Sequence, residues 1–233
     1  MSSAVKQSLT VLPDSKQCWN FIKLVGVTHS YQGEREANNF VLGPIDLTFH
    51  PGELVFLIGG NGSGKSTLIK VIAGLYVPEA GVVHIDNQPI TDANREWYCQ
   101  HFSVVFPDFY LFDSLLGLNS PDLDLLDLQA QKYLVQLHLD RKVQVNRGVF
   151  STIALSQGQR KRLALLAAYM EERPFYIFDE WASDQDPMFK DIFYNQLLLE
   201  LKHQGKTVLV VTHDDRYFHL ADRLVKLDYG KVL

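Results

Sequence analysis

Cysteine is scarce, with only Cys18 and Cys99 in 233 residues. Two thiols so far apart make neither a disulfide framework nor a zinc-ligand spacing, so a reducing cytosol is the expected compartment. Long apolar runs are missing too. A membrane-crossing helix needs roughly 18 apolar residues, and the longest runs, Leu54–Ile58 and Leu163–Ala168, are far shorter. Met1 to Asn20 lacks the basic start and apolar centre of a secretion signal. If the protein serves a membrane, it does so from the aqueous side or through a part outside this chain. There is no basic excess either. The net charge of −5 argues against a dedicated nucleic-acid binder, which would carry a basic surface.

What is present suits a globular domain with a core: 46% hydrophobic and 21% charged residues. Strand-like patterns run through Phe21–Val25, Phe40–Leu42, Ile45–Phe49, Val82–Ile85 and Ser103–Phe106. Leu54–Ile58 is a continuous apolar run, suited to a strand buried on both faces, and Phe175–Phe178 and Thr207–Val211 read as further, mostly apolar strands. Helices are expected over Lys65–Leu75, after Gln157, and over about Pro187–His203. A last strand is expected within Leu224–Lys231. Alternating strands and helices predict an α/β domain with a largely parallel core sheet. The mostly helical stretch from about 110 to 170 reads as a subdomain inserted into it.

Gly59-Gly60-Asn61-Gly62-Ser63-Gly64-Lys65-Ser66-Thr67 matches G-x-x-x-x-G-K-[ST], between a buried strand and a helix. Glycines let backbone N–H groups wrap a phosphate, and the following helix points its N-terminus at the same anion. Lys65 then reaches the β- and γ-phosphates, and the Ser66 hydroxyl ligates Mg²⁺. A bare glycine-rich turn would not need this strand–loop–helix context.

Phe175-Tyr176-Ile177-Phe178-Asp179-Glu180 is an apolar strand ending in two acids. At the carboxyl edge of the sheet, Asp179 would hold Mg²⁺ directly or through water, and Glu180 would act as general base on the attacking water. His213 follows another apolar strand and is a candidate for contacting the γ-phosphate and orienting the base. These residues point to ATP hydrolysis.

Leu155-Ser156-Gln157-Gly158-Gln159 ahead of a helix resembles the Leu-Ser-Gly-Gly-Gln signature of ABC ATPases. The order of phosphate loop, signature, Asp-Glu strand end and His strand end resembles that family over residues 19–233. The resemblance implies a P-loop NTPase fold with an N-terminal antiparallel β part, and residues 1–18 as linker or tail. It implies ATP and Mg²⁺ as ligands and a head-to-tail pair of domains, a homodimer by preference. Ser156, Gly158 and Gln159 would then meet the nucleotide held by the partner copy. It places Tyr31 against adenine, and Asp186, in Ser183-Asp184-Gln185-Asp186, in a loop that meets the partner.

Three residues depart from the family pattern. Gln157 stands where the signature has glycine. Pro107 stands where a metal-contacting glutamine is usual, with Asp108 as the nearest acid. Trp181 stands where proline usually follows the catalytic Glu. These departures, with the segments Ser103–Phe112, Phe178–Pro187 and His213–Arg223, resemble the branch that exports cyclic peptides and pyoverdine-type siderophore peptides. That branch implies a membrane domain fused upstream, a place on the cytoplasmic side of the bacterial inner membrane, and no nucleic-acid partner. Other readings are a soluble ABC ATPase without a membrane domain, a regulatory nucleotide binder, and a P-loop kinase. Against the DNA-repair type, Lys65 and Ser156 are only 91 positions apart, with no sustained heptads between them.

Overall fold

Leu54–Ile58, Phe175–Phe178 and Thr207–Val211 become the three central strands. The computed structural model describes residues 19–31, 40–115 and 122–233. The expected linker at residues 1–18 lies outside them, as do residues 32–39 and 116–121. In chain order the elements are β1 (Ile22–Tyr31), β2 (Phe40–Phe49), β3 (Leu54–Ile58), α1 (Lys65–Ile72), β4 (Ala80–Ile85), β5 (Gln88–Pro89), α2 (Arg95–Cys99) and β6 (Phe102–Val105). Then follow α3 (Leu123–Gln136), β7 (Val145–Asn146), β8 (Val149–Phe150), α4 (Gln157–Glu171), β9 (Phe175–Asp179), α5 (Pro187–Ile192), α6 (Leu198–His203), β10 (Thr207–Val211), β11 (Arg223–Asp228) and β12 (Lys231–Val232).

The six-stranded sheet runs β12-β11-β3-β10-β9-β6. Every pairing from β11 to β6 is parallel, and only β12 is antiparallel, on β11. A second, antiparallel sheet runs β2-β1-β4-β5. This is the expected α/β P-loop architecture with an antiparallel N-terminal part.

The period-two geometry of a strand explains the unbroken apolar runs. Leu54 and Phe56 of β3, Tyr176 and Phe178 of β9, and Val208 and Val210 of β10 face the helical side. Val55 and Leu57, Phe175 and Ile177, and Leu209 and Val211 face α1 and the antiparallel sheet. Both faces are covered, so no position in these strands tolerates solvent. Phe175 is the junction of the two sheets. Its ring lies 6.1 Å from Trp19, 5.4 Å from Phe49 and 5.1 Å from Phe102.

Some expectations needed correcting. Phe40–Leu42 and Ile45–Phe49 form one continuous strand, β2, because both halves pair with β1. The helix expected over Pro187–His203 has a π-helical turn at Phe193–Leu197 between α5 and α6. The widened turn puts Phe193 and Tyr194, both fully buried, into the core. The middle segment carries α3 and α4 as expected, but also the hairpin β7-β8, too short to announce itself by periodicity. Among the described residues, no helix is long and apolar enough to cross a membrane.

Because Phe175 is wholly buried between rings of both sheets, Phe175→Ala should cost about 3–5 kcal/mol of folding stability. Equilibrium urea unfolding measures this. A loss below about 1 kcal/mol would mean that the sheet junction is not packed as described.

Candidate functional site

In a parallel sheet, neighbouring strands release their following loops at one edge. β3, β10 and β9 are adjacent and parallel. Gly59–Thr67, Thr212–His213 and Asp179–Glu180 therefore meet at that edge, although they are far apart in the chain.

The phosphate loop is shaped for an anion. Gly64 has φ +102°, and a Cβ there would stand 2.5 Å from the Phe40 ring, so only glycine fits. Lys65 is buried and donates from Nζ to the carbonyls of Gly59 and Gly60, 2.9 Å each, holding its ammonium across the loop. Burial lowers its pKa, and Glu180 and Asp179 act against that. Asn61, Gly62 and Gly64 donate no backbone N–H to a backbone carbonyl among the described residues. No side chain caps α1, and its first turn has no acid. By contrast α3, α4 and α5 are capped by Asp122, Ser156 and Asp186. The start of α1 is thus a free set of N–H donors with a positive helix end, which a phosphate satisfies. The Ser63 hydroxyl is buried there without a hydrogen-bond partner.

Asp179 ends β9 at 1% exposure, and neither carboxylate oxygen has a hydrogen-bond partner. Burial pushes its pKa up. The Ser66 hydroxyl is near enough to pull it down, though not in bonding geometry, while Glu180 adds to the rise and Lys65 opposes it. An orphaned buried carboxylate beside a serine hydroxyl suits a hard divalent cation. Among the described residues, no three His, Cys, Asp or Glu side chains are grouped so as to hold a metal ion by themselves. An ion held by Ser66 and Asp179 would complete its shell with substrate oxygens and water, as Mg²⁺ does.

Glu180 follows in a left-handed conformation, φ 48°. Its Oε1 lies 3.3 Å from His213 Nε2, and both side chains remain open, at 40% and 49% exposure. Together they border a cleft of about 360 Å³ that also includes Ser183, Lys190, Tyr194 and Thr212. Tyr194 stacks on Tyr217 at 4.1 Å and shares a 2.7 Å hydroxyl bond with Thr212, which braces the start of the His213 loop.

The signature residues sit at the start of α4. Ser156 and Gln159 form a reciprocal capping box. Gln157 is exposed, so the side chain replacing glycine points to solvent. A Cβ on Gly158 would stand 2.8 Å from the Asp184 carbonyl, which excludes any larger residue. The Gly158 carbonyl accepts a bond from Gln185. Ser156, Gly158 and Gln159 share no hydrogen bond with the phosphate loop among the described residues. Asp186 caps α5 through the Phe189 N–H and binds Arg162 at 2.6 Å. The N–H bond, with Arg162, holds its pKa down. Pro107 and Asp108 lie on an exposed turn after β6. Tyr31 ends β1 by backbone pairing with Phe40; its side chain, and with it the adenine contact, lies outside what the structure describes.

Motif reading missed Lys161. This lysine is wholly buried in α4 and pairs with Asp184 at 2.6 Å. A lysine in a helix normally signals a solvated face, and only its tertiary neighbours show otherwise.

The family described as "ABC transporter" matches residues 42–183. The chain is 50% identical over 224 residues to the ATP-binding protein SyrD of Pseudomonas syringae pv. syringae, covering 96% of this chain and 39% of that protein. It is 30% identical over 228 residues to the nisin transport ATP-binding protein NisT of Lactococcus lactis subsp. lactis, covering 91% and 36%. The chain thus spans less than two fifths of the curated relatives it matches. Among solved structures, the ATP-binding cassette MJ0796, a dimer in a post-hydrolysis state with ADP and Pi, matches at TM-score 0.77 and 28% identity, covering 91% of this chain and 96% of that one. A bacterial Atm1-family ABC exporter with ATP bound matches at TM-score 0.75 and 18% identity, covering 93% and 38%, a likeness of fold.

A carboxyl whose pKa is raised on folding binds its proton more tightly in the folded state. Its contribution falls as pH rises from the unfolded value, near 3.9, through the folded one, and the penalty is complete above both. Asp179→Asn should therefore stabilise the ligand-free protein at pH 7 by on the order of 1 kcal/mol, or about 2–4 °C in melting temperature. The gain should shrink as pH falls toward about 4. Melting curves across that range test it, and a lower melting temperature than the parent at pH 7 would refute the orphaned-carboxylate account.

Proposed function

The chain belongs to the ABC transporter family, and from that premise we propose that it is the ATP-driven motor domain of a membrane exporter of peptides, of the cyclic-peptide or siderophore-peptide class. ATP hydrolysis to ADP and phosphate is the chemistry of this ATPase fold. The observation that carries the assignment of its residues is the meeting of three strand ends at one edge. They bring together an uncapped helix start, an orphaned buried carboxylate and a Glu–His pair.

ATP lies with its β- and γ-phosphates on the N–H groups of residues 59–67 and on Lys65, and its adenine against Tyr31. Ser66 and Asp179 would hold Mg²⁺, which would supply charge neutralisation at the phosphate oxygens. Glu180 accepts the proton of the attacking water. His213, 3.3 Å away, steadies that carboxylate and approaches the γ-phosphate. Positioning and electrostatics do most of the work in such a transfer. A second copy closes head to tail, and Ser156, Gly158 and Gln159 at the start of α4 complete the partner's site with a helix N-terminus. That the MJ0796 structures are dimeric supports the pairing of two copies.

A groove of about 330 Å³ between the segment after β6 and α4 supports the membrane connection. It is lined by Phe109, Leu111, Ala164 and Ala168, and flanked by Tyr110 and Phe112, which are 77% and 52% exposed. Apolar residues so placed fit a contact with a membrane domain on the cytoplasmic side of the bacterial inner membrane. Peptide cargo is supported by the relative named for nisin transport and by Pro107, Gln157 and Trp181. Other relatives are named for macrolide export, among them that of Pectobacterium atrosepticum at 30% identity over 232 residues.

Glu180→Gln should lower the rate of hydrolysis by about 10²–10⁴-fold while leaving ATP binding intact and trapping an ATP-dependent dimer. Steady-state hydrolysis and size-exclusion chromatography with ATP read both effects. Hydrolysis at the parent rate would remove Glu180 as the base. For the cargo, ATP-dependent uptake into inverted vesicles holding the intact transporter should favour a cyclic peptide over a macrolide, and the reverse preference would overturn the peptide assignment.

A further inference from the structure

Glu180 is held in a way the motif does not explain. Its left-handed backbone, at φ 48°, is rare for a residue other than glycine and persists only where the surroundings over-determine it. Those surroundings are specific. The Glu180 N–H donates to the Val211 carbonyl at 3.2 Å. Its carbonyl accepts from Ser183 Oγ at 2.7 Å and from Lys161 Nζ at 3.3 Å.

Lys161 does more than that one bond. Nζ also reaches Ser183 Oγ at 3.2 Å and the Asp184 carboxylate at 2.6 Å. Its own backbone carbonyl accepts the indole N–H of Trp181 at 3.1 Å. Trp181 is fully buried, stacked on Phe193 at 4.3 Å. One residue of α4 therefore grips the segment 180–184 at four places. The Lys161 side chain is only 2% exposed, and Asp184, at 46%, supplies the counter-charge that makes a buried ammonium tolerable.

We propose that Lys161, paired with Asp184, is a positioning residue for ATP hydrolysis: it locks the strained peptide of Glu180 and so aims the carboxylate that receives the water proton. The proposal rests on Glu180 being the base. It extends that reading to a buried lysine and its aspartate partner, which lie outside the motifs read for phosphate and base. Because Lys161 lies on the helix that begins at Ser156, the aim of the base in one site is tied to the element that closes the partner's site.

The test compares Lys161→Met, Asp184→Asn, the double variant and Glu180→Gln in the full 233-residue chain. Hydrolysis is measured at saturating ATP, Mg-ATP affinity by equilibrium binding, and the folded fraction by urea unfolding. Misplacing a reacting group by about 1 Å can cost on the order of 10²-fold, so kcat of Lys161→Met should fall by about 10- to 100-fold. Affinity should stay within about twofold, since the phosphate loop is untouched. Asp184 is half exposed, so Asp184→Asn should fold whatever Lys161→Met does, and its kcat should fall in the same direction. The double variant should be no slower than Lys161→Met alone, as expected for two residues acting through one contact. Parent kcat per folded molecule in both single variants, with Glu180→Gln inactive, would overturn the positioning role and leave the base standing. Full activity of Glu180→Gln would remove the base, and the proposal with it.

Discussion

The parallel pairing of β3, β10 and β9 is the constraint on which the rest of the molecule depends. Its register sets Val55 opposite Leu209 and Phe56 opposite Val210, and Leu209 opposite Ile177 and Val210 opposite Phe178. Side chains alternate between two cores, one under the helices and one under α1 and the antiparallel sheet. A slip of one residue would exchange the two sets and carry Asp179 to the other face. The same register brings the three following loops level at one edge. Apolar burial thus fixes the height at which Gly59, Asp179 and His213 emerge, and chemistry uses positions that packing has already decided.

That edge is left electrostatically incomplete. The helix after the phosphate loop has no side-chain cap, and the Asp179 carboxylate lies buried without a donor. By contrast α3, α4 and α5 are capped by Asp122, Ser156 and Asp186, and the Arg162 guanidinium is paired with Asp186. Unsatisfied groups cost stability. Here they are complementary in sign, with N–H donors for an anion and a carboxylate for a cation, so a nucleotide with a metal ion would satisfy both at once and would stabilise the fold by binding.

The second organising feature is the grip of α4 on the segment from Glu180 to Asp186. Lys161 holds the Glu180 carbonyl and Asp184, Arg162 holds Gln185 and Asp186, and the Gly158 carbonyl accepts from Gln185. Arg162 also lies over the Phe189 ring at 3.5 Å. Side chains thus fasten the start of α4 to the segment that follows β9.

Much of this is legible in the order of residues. Residues 59–67, Asp179, Glu180, His213 and Ser156–Gln159 are readable because each motif is local. A phosphate cradle needs glycines and a lysine at fixed spacing, and a doubly buried strand needs an unbroken apolar run. The parallel α/β core is readable for the same reason. Features that rest on distant partners are not. The hairpin at 145–150 is too short to show a period. The π turn at Phe193–Leu197 is chosen by what Phe193 and Tyr194 pack against. Lys161 reads as a solvated helix position until the fold buries it beside Asp184. The amino-acid sequence alone determined which groups are candidates for the chemistry, because that is a matter of residue type and short spacing. Only the tertiary structure decided how those groups are aimed, because the left-handed turn of Glu180 is held by side chains from another element.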